Sequence, residues 1–183
     1  MNPKDTTQNN LYYSDFQTGV LGKIWLGSTE RGLKFLRFDD DSGEFIANIA
    51  KSIEPDRQPN ILYNPEKLSP FQTVIEMYCH DKIPVPLDLT LDISHLTDFQ
   101  QKILNYVREI PFGASTTYGE IAEAIHNPNA SRAIGQVLRR NPIPIIIPCH
   151  RVLSADGTIG GYGGVMGSRR KIALLKHEGI ILA

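Results

Sequence analysis

Residues 117–140 read TYGEIAEAIHNPNASRAIGQVLRR. Thr117 and Glu120 stand at the spacing of a capping box, in which the hydroxyl accepts from a free amide of the first turn and the carboxylate reaches back to the cap amide. The spacing predicts a helix from Tyr118 with Ile121, Ala122 and Ile125 inward. Asn127-Pro128-Asn129 is a turn. Residues 131–140 form a second short helix with Ile134, Val137 and Leu138 inward, ended by Asn141-Pro142. Two short helices across a tight turn, the second carrying arginines, read as a helix-turn-helix. Many all-helical cores contain such a pair, so the pattern leaves both readings open. Arg132, Gln136 and Arg139, at i, i+4 and i+7, share the face opposite the apolar stripe. That face is either an ordinary solvated surface or a surface for a polyanion. Gly135 costs its helix about 1 kcal/mol relative to alanine; a missing side chain is useful where a partner must approach the backbone.

Downstream, residues 143–152 read IPIIIPCHRV. An apolar run, expected to be extended, delivers Cys149 and His150 between Pro148 and Arg151. A thiol reacts as its thiolate, and a neighbouring imidazole and guanidinium favour that anion by taking the proton and by positive charge. Sequence neighbours rarely face each other along an extended chain, so a bridging water is the expected carrier of the proton. A buried thiol beside a surface imidazole is the alternative.

Upstream, Thr97-Asp98-Phe99-Gln100 is another capping box, opening a helix with Phe99, Ile103, Leu104 and Val107 as its stripe, stopped by Pro111-Phe112-Gly113. A domain boundary is expected at 94–97. Before it, Leu11–Phe16, Val20–Leu26 and Leu33–Phe38 read as strands punctuated by Gly19, Gly27 and Gly32. Asp39-Asp40-Asp41 and Gly43 break the pattern, Phe45, Ile46 and Ile49 suggest a short helix, and Pro55–Pro65 is loop-like. A helix is predicted over Pro70–Tyr78 with Phe71, Val74, Ile75 and Tyr78 on one face, and Leu87–Ile93 alternates like a strand. The fold class is thus α/β: a small N-terminal α/β domain with an antiparallel sheet (1–94) and a mostly α-helical C-terminal domain (95–183).

The 183 residues are 41% hydrophobic and 21% charged, which argues for a packed domain rather than disorder. No apolar run approaches the roughly 20 residues needed to cross a bilayer, and MNPKDTTQNN does not read as a secretory signal. With only two cysteines and no CxxC pair, neither a disulfide scaffold nor a structural zinc site is expected. A reducing, cytoplasmic setting follows, with Cys79, beside His80, read as a packed thiol. Residues 1–96 hold nine Lys or Arg against fourteen Asp or Glu, and residues 97–183 ten against six. Unless that asymmetry is chance, a polyanion meets the second half.

Pro148-Cys149-His150-Arg151-Val152 resembles the active-site signature of the O6-alkylguanine-DNA alkyltransferases, or methylated-DNA–protein-cysteine methyltransferases. Thr117-Tyr118, Arg132-Ala133-Ile134-Gly135, Asn141-Pro142-Ile143-Pro144, Gly160, Tyr162-Gly163-Gly164 and His177-Glu178-Gly179 match that family's landmarks in order. The likeness is close from about Thr97 to Gly179 and weak across 1–94, where it implies a ribonuclease H-like domain.

The resemblance implies a suicidal DNA-repair protein that moves an alkyl group from guanine O6 in duplex DNA onto its own Cys149. O4-alkylthymine stays open as a second substrate. It implies His150 as base through a water, Glu178 as holder of the imidazole, Asn141 as the link between recognition helix and active-site strand, and Tyr118 with Arg132 as the pair that extrudes the base. Gly135, Gln136 and Arg139 would lie against DNA. Pro144, Val152, Tyr162, Gly163 and Gly164 would form the guanine pocket, with Leu138 a wedge or a plain core residue. Some members have serine where this chain has Gly163, so a backbone amide would replace that donor. No metal, cofactor, membrane or obligate protein partner is implied, and a monomer is expected. The rival readings are a non-catalytic sensor of alkylated DNA, which would lack the acceptor cysteine, a plain helix-turn-helix regulator, and a cysteine hydrolase.

Overall fold

The computed structural model describes residues 10–38, 59–163, 165, 166 and 168–181. The N-terminal tail, the Asp39–Gly43 break, the short helix expected around Phe45–Ile49 and Gly164 lie outside them. The chain divides into two compact units, one running to Gln72 and including Leu89–His95, the other formed by Thr73–Asp88 and the residues from Leu96 onward.

In the first unit, β1 (Asn10–Thr18), β2 (Gly22–Thr29), β3 (Gly32–Phe38) and β4 (Asn60–Tyr63) form one sheet in the order β3-β2-β1-β4. β1, β2 and β3 are an antiparallel meander, and β4 lies parallel to β1. Ile24 through Ser28 of β2 are all buried, the continuous run of a strand covered on both faces. The register slips between Gly27 and Ser28, at a bulge against β3. There the Phe35 ring occupies the place of a side chain, since a Cβ on Gly27 would fall 2.0 Å from it.

Three upstream expectations change. Residues 60–63, read as loop, are the short, exposed edge strand β4. The helix starts earlier, as α1 (Pro65–Asp81). Asn64 Oδ1 accepts from the Lys67 amide at 3.0 Å, with Pro65 in the first helical position, where a missing N–H costs nothing. Pro70 therefore sits inside the helix, and the Ser69 hydroxyl donates to the Glu66 carbonyl that Pro70 cannot serve. Leu87–Ile93 forms no strand but an isolated bridge, Leu91 against Leu33. It places the buried Asp92 beside Lys34, Arg31, Thr29 and Ser94. Burial would raise that carboxyl, but the Thr29 and Ser94 hydrogen bonds and the two cations hold it far below the usual range.

In the second unit, α2 (Asp98–Arg108) and α3 (Tyr118–Ala124) both open on complete capping boxes, from Thr97–Gln100 and Thr117–Glu120. Ile103, Leu104 and Val107 are buried, but Phe99, expected in the stripe, is 37% exposed in the first turn. β5 (Thr116–Thr117) precedes α3, and α4 (Ser131–Arg139) follows it after a turn. Ile134, Val137 and Leu138 of α4 face inward. Past a 3-10 turn at Cys149–Arg151 come β6 (Val152–Leu153), β7 (Gly161–Tyr162), β8 (Val165–Met166) and α5 (Arg169–His177). β6 pairs in parallel with β5, which ties the Cys149 turn to the cap of α3.

Gly27→Ala should destabilise the protein by about 1–3 kcal/mol, the usual cost of overpacking. Adding Phe35→Leu should recover part of the loss, as read from urea unfolding.

Candidate active site

Ile143–Ile147, expected to be extended, instead folds back on itself. Ile147 N donates to Ile143 O at 2.9 Å, and Ile145 is held at φ 75°, a conformation a β-branched residue adopts only under constraint. Asn141 ties this knot. Its Oδ1 accepts from Ile143 N at 3.0 Å, and its Nδ2 donates to Ile147 O at 2.7 Å and lies 3.1 Å from Cys149 Sγ. The thiol is thus placed by a side chain eight residues upstream.

Cys149 is 7% exposed, yet it lines a cavity of about 330 Å³ with Tyr118, Gly135, Gln136, Leu138, Arg139, Gly161, Tyr162 and Gly163. Gln136 and Arg139 reach it from the exposed face of α4; Arg132 is exposed on that face but does not line the cavity. Leu138 is a buried core residue that also reaches the wall. Pro144 and Val152 are buried outside the lining. The Val152 carbonyl accepts from Lys171 Nζ at 2.6 Å. A Cβ on Gly135 would meet only Tyr118 Cε1, at 3.9 Å, so the protein's own packing leaves room for an alanine there. Gly163 turns the cavity loop at φ 55°.

Burial pushes the Cys149 thiol up, while the Asn141 hydrogen bond and the Lys171 charge pull it down. Burial also raises Tyr118 and Tyr162, each further raised by Cys149, so both hydroxyls keep their protons. The Tyr162 hydroxyl is buried with no hydrogen-bond partner among the described residues. Lys171, fully buried and brought down to about 8, remains mostly an ammonium at pH 7.

Glu178 is enclosed by donors. Oε1 receives Tyr78 Oη at 2.7 Å, His150 Nε2 at 2.7 Å and Arg151 Nη2 at 2.9 Å. Oε2 receives Arg151 Nε at 2.8 Å and Gly113 N at 3.3 Å. Burial would raise this carboxyl, but His150, Arg151 and Tyr78 bring it to about 2. A carboxylate only accepts, so His150 carries its proton on Nε2 and leaves Nδ1 as a lone-pair acceptor. Nδ1 is buried with no hydrogen-bond partner among the described residues. Burial lowers the His150 pKa against the pull of Glu178.

Arg151, expected to charge the thiol's surroundings, instead spends its guanidinium on Glu178. The cation that acts on Cys149 is Lys171, which sequence reasoning missed, as it missed Tyr78. The readable sign was a pair of charges on an apolar stripe: Lys171, Leu174, Leu175 and Glu178 fall at i, i+3, i+4 and i+7, and all are buried. Cys79 is buried, and burial pushes it up to about 11. Among the described residues no cluster of three or more His, Cys, Asp or Glu is placed to hold a metal ion, and no helix is long and apolar enough to cross a membrane.

Residues 98–180 match the family model for the 6-O-methylguanine DNA methyltransferase DNA binding domain. The methylated-DNA–protein-cysteine methyltransferase of Methanosarcina acetivorans is 39% identical over 92% of this chain and 99% of its own. That of Rattus norvegicus is 35% identical over 87% and 78%. Among solved structures, Mycobacterium tuberculosis OGT in complex with DNA superposes with a TM-score of 0.74 at 32% identity, covering 91% of this chain and 92% of that one. The chain belongs to the methylated-DNA–protein-cysteine methyltransferase family.

The two pKa shifts set an acid response. Because His150 is buried neutral, stability is lost as the pH falls below its ordinary value of 6.5. Glu178 contributes stability that is complete above its ordinary 4.5 and lost as the pH falls toward about 2. Urea midpoints should therefore decline in two stages, and His150→Gln should flatten the upper one. Glu178→Gln, which leaves Arg151 buried without its counter-charge, should cost about 3–5 kcal/mol at pH 7.

Proposed function

We propose that this chain repairs DNA by direct reversal, taking the alkyl group of O6-alkylguanine in duplex DNA onto Cys149 in one irreversible turnover. The observation that carries the reading is the cavity itself: Cys149 lines it beside Gly135, Gln136 and Arg139 of α4. A chain lying along that helix face would reach the thiol with an extruded base.

The proton of Cys149 passes through a water to His150 Nδ1, while Glu178 holds Nε2 and stabilises the imidazolium. The sulfur forms a bond to the alkyl carbon as the carbon–O6 bond breaks. The electron pair retreats into the guanine, which takes up a proton in place of the one the thiol gave up. Tyr118 stays protonated by virtue of its burial and donates to the departing purine. The backbone amide at Gly163 replaces the hydroxyl that some relatives supply, and Tyr162 and Gly161 line the pocket beside it. The product is a thioether, whose carbon–sulfur bond proton transfer to or from His150 does not break, so each molecule works once.

α3 and α4 act as a helix-turn-helix. Arg132 fills the space left by the base and Tyr118 presses on the neighbouring phosphate, at an unstacking cost of a few kcal/mol. Residues 95–183 bind and react, and residues 1–94 form a ribonuclease H-like companion, supported by the antiparallel meander followed by a parallel fourth strand. The protein works as a cytoplasmic monomer. A lesion sensor needs no acceptor thiol, and a transcription regulator needs no cysteine beside an imidazole held by a buried carboxylate.

Incubation with duplex DNA carrying O6-methylguanine, followed by peptide mass analysis, should show one methyl on Cys149 in one-to-one yield. Cys149→Ser should abolish the gain and keep DNA binding. An unmodified Cys149 on folded protein with intact lesion DNA rejects the reading. Gly135→Ala should raise the stability by about 0.5–1 kcal/mol through helix propensity and weaken duplex binding several-fold. Unchanged affinity in a gel-shift titration would remove the backbone of α4 from the DNA surface.

A further inference from the structure

Tyr78 lies on α1, twenty residues before the segment that matches the family's DNA binding domain model. It is fully buried, and its hydroxyl donates to Glu178 Oε1, the same oxygen that takes the His150 Nε2 proton. Its position is fixed from two sides. His177 Nε2 donates to the Tyr78 carbonyl oxygen at 2.7 Å, and the two rings lie 5.1 Å apart. Phe112 meets the Tyr78 ring edge-on at 6.0 Å. A tyrosine needed only to fill the core would do as phenylalanine, since the hydroxyl gains nothing from burial unless it has a partner. Here the partner is the carboxylate that orients the imidazole.

We propose that Tyr78, held at its backbone carbonyl by His177, is a positioning residue for alkyl transfer: its hydroxyl competes with His150 for Glu178 Oε1 and so sets both the orientation and the basicity of the imidazole. The inference deepens the function proposed above and rests on His150 acting as the base.

The direction follows from the groups around the pair. Glu178 faces Tyr78, His150, Arg151 and the Gly113 amide. His150 also feels Arg151 and Lys171, both of which oppose its protonation. Taking one donor from Oε1 leaves more negative charge for the imidazolium and stabilises it. The protonated, inactive form of the base then persists to higher pH, so the acid limb of transfer must move up. At the same time Glu178 loses a constraint on its rotamer, so the plateau rate must fall.

The test compares the full-length protein with Tyr78→Phe in single-turnover transfer from duplex DNA carrying O6-methylguanine, across pH 5 to 9. Tyr78→Phe should move the acid limb to higher pH by several tenths of a unit and lower the plateau rate about 3- to 10-fold, with duplex affinity unchanged. The His150 imidazole nitrogen resonances should titrate at correspondingly higher pH, a readout that loss of packing alone does not move. Cys79→Ala, which trims the buried neighbour on the same helix, serves as the packing control: it should lower the melting temperature and leave the acid limb in place. An acid limb and His150 titration identical to wild type in folded Tyr78→Phe overturn the proposal. So does an equal shift in Cys79→Ala. Absence of transfer by the wild-type protein would defeat the functional reading instead, while the His150 titration would still report on the Tyr78 hydrogen bond.

Discussion

The second unit is organised around a buried negative charge. Glu178 closes α5, and its carboxylate collects donors from α1 (Tyr78), the turn after α2 (Gly113) and the 3-10 turn (His150 and Arg151). Taking a carboxylate out of water costs several kcal/mol, so it persists only where charge and hydrogen bonds replace hydration completely. Five donors on two oxygens do so here. Each donor belongs to a different stretch of chain or to the reactive turn itself. The requirement to satisfy one charge thereby fixes where those stretches meet, and the chemistry of the imidazole inherits that geometry.

The thiol is governed by a second, more local constraint. Asn141 stitches the apolar run into a turn tight enough to hold Ile145 in the left-handed region, at a cost of order 1–3 kcal/mol. The burial of Ile143, Ile145, Ile146 and Ile147, all at 2% exposure or less, offsets that strain. The return is a cysteine that lines the cavity, which an extended strand of alternating side chains would not guarantee.

What could be read from the residues divides along the same line between local and distant causes. Both capping boxes, the inward faces of α3 and α4, and the three strands of the meander follow from contacts a few residues apart, and they were legible. β4 was not: four exposed residues between prolines carry no alternation, and only pairing with β1 makes them a strand. The start of α1 was signalled by Asn64-Pro65, but Pro70 reads as the more obvious beginning until Ser69 is seen serving the orphaned carbonyl. At the site, Cys149 and His150 stood out by their chemistry at the end of an apolar run, while Asn141, Tyr118 and Glu178 came through a resemblance. Arg151 was assigned to the thiol from adjacency in sequence, which says little about direction inside a 3-10 turn. Tyr78 looked like core because its hydroxyl has no partner within its own helix, and Lys171 announced itself only as a charge on an apolar stripe.

These misreadings share a physical origin that bears on the chemistry. A buried thiol with a raised pKa is a poor nucleophile toward whatever reaches it from solvent. Lys171 opposes that inertness by charge from α5, and in the proposed reaction His150 does so through Nδ1, which has no hydrogen-bond partner among the described residues. Neither sits on Cys149 as a direct hydrogen-bond partner; that place is held by the neutral amide of Asn141. Under the proposed reaction the sulfur is therefore kept protonated at rest, and the means to ionise it are assembled around it without being engaged. A protein that reacts once and cannot be regenerated has reason for such reserve, because each stray alkylation in solution would remove a molecule as surely as a repair event. Under that proposal, the separation of placement, by Asn141, from activation, by the Glu178–His150 pair and Lys171, reconciles a reactive cysteine with a long-lived one.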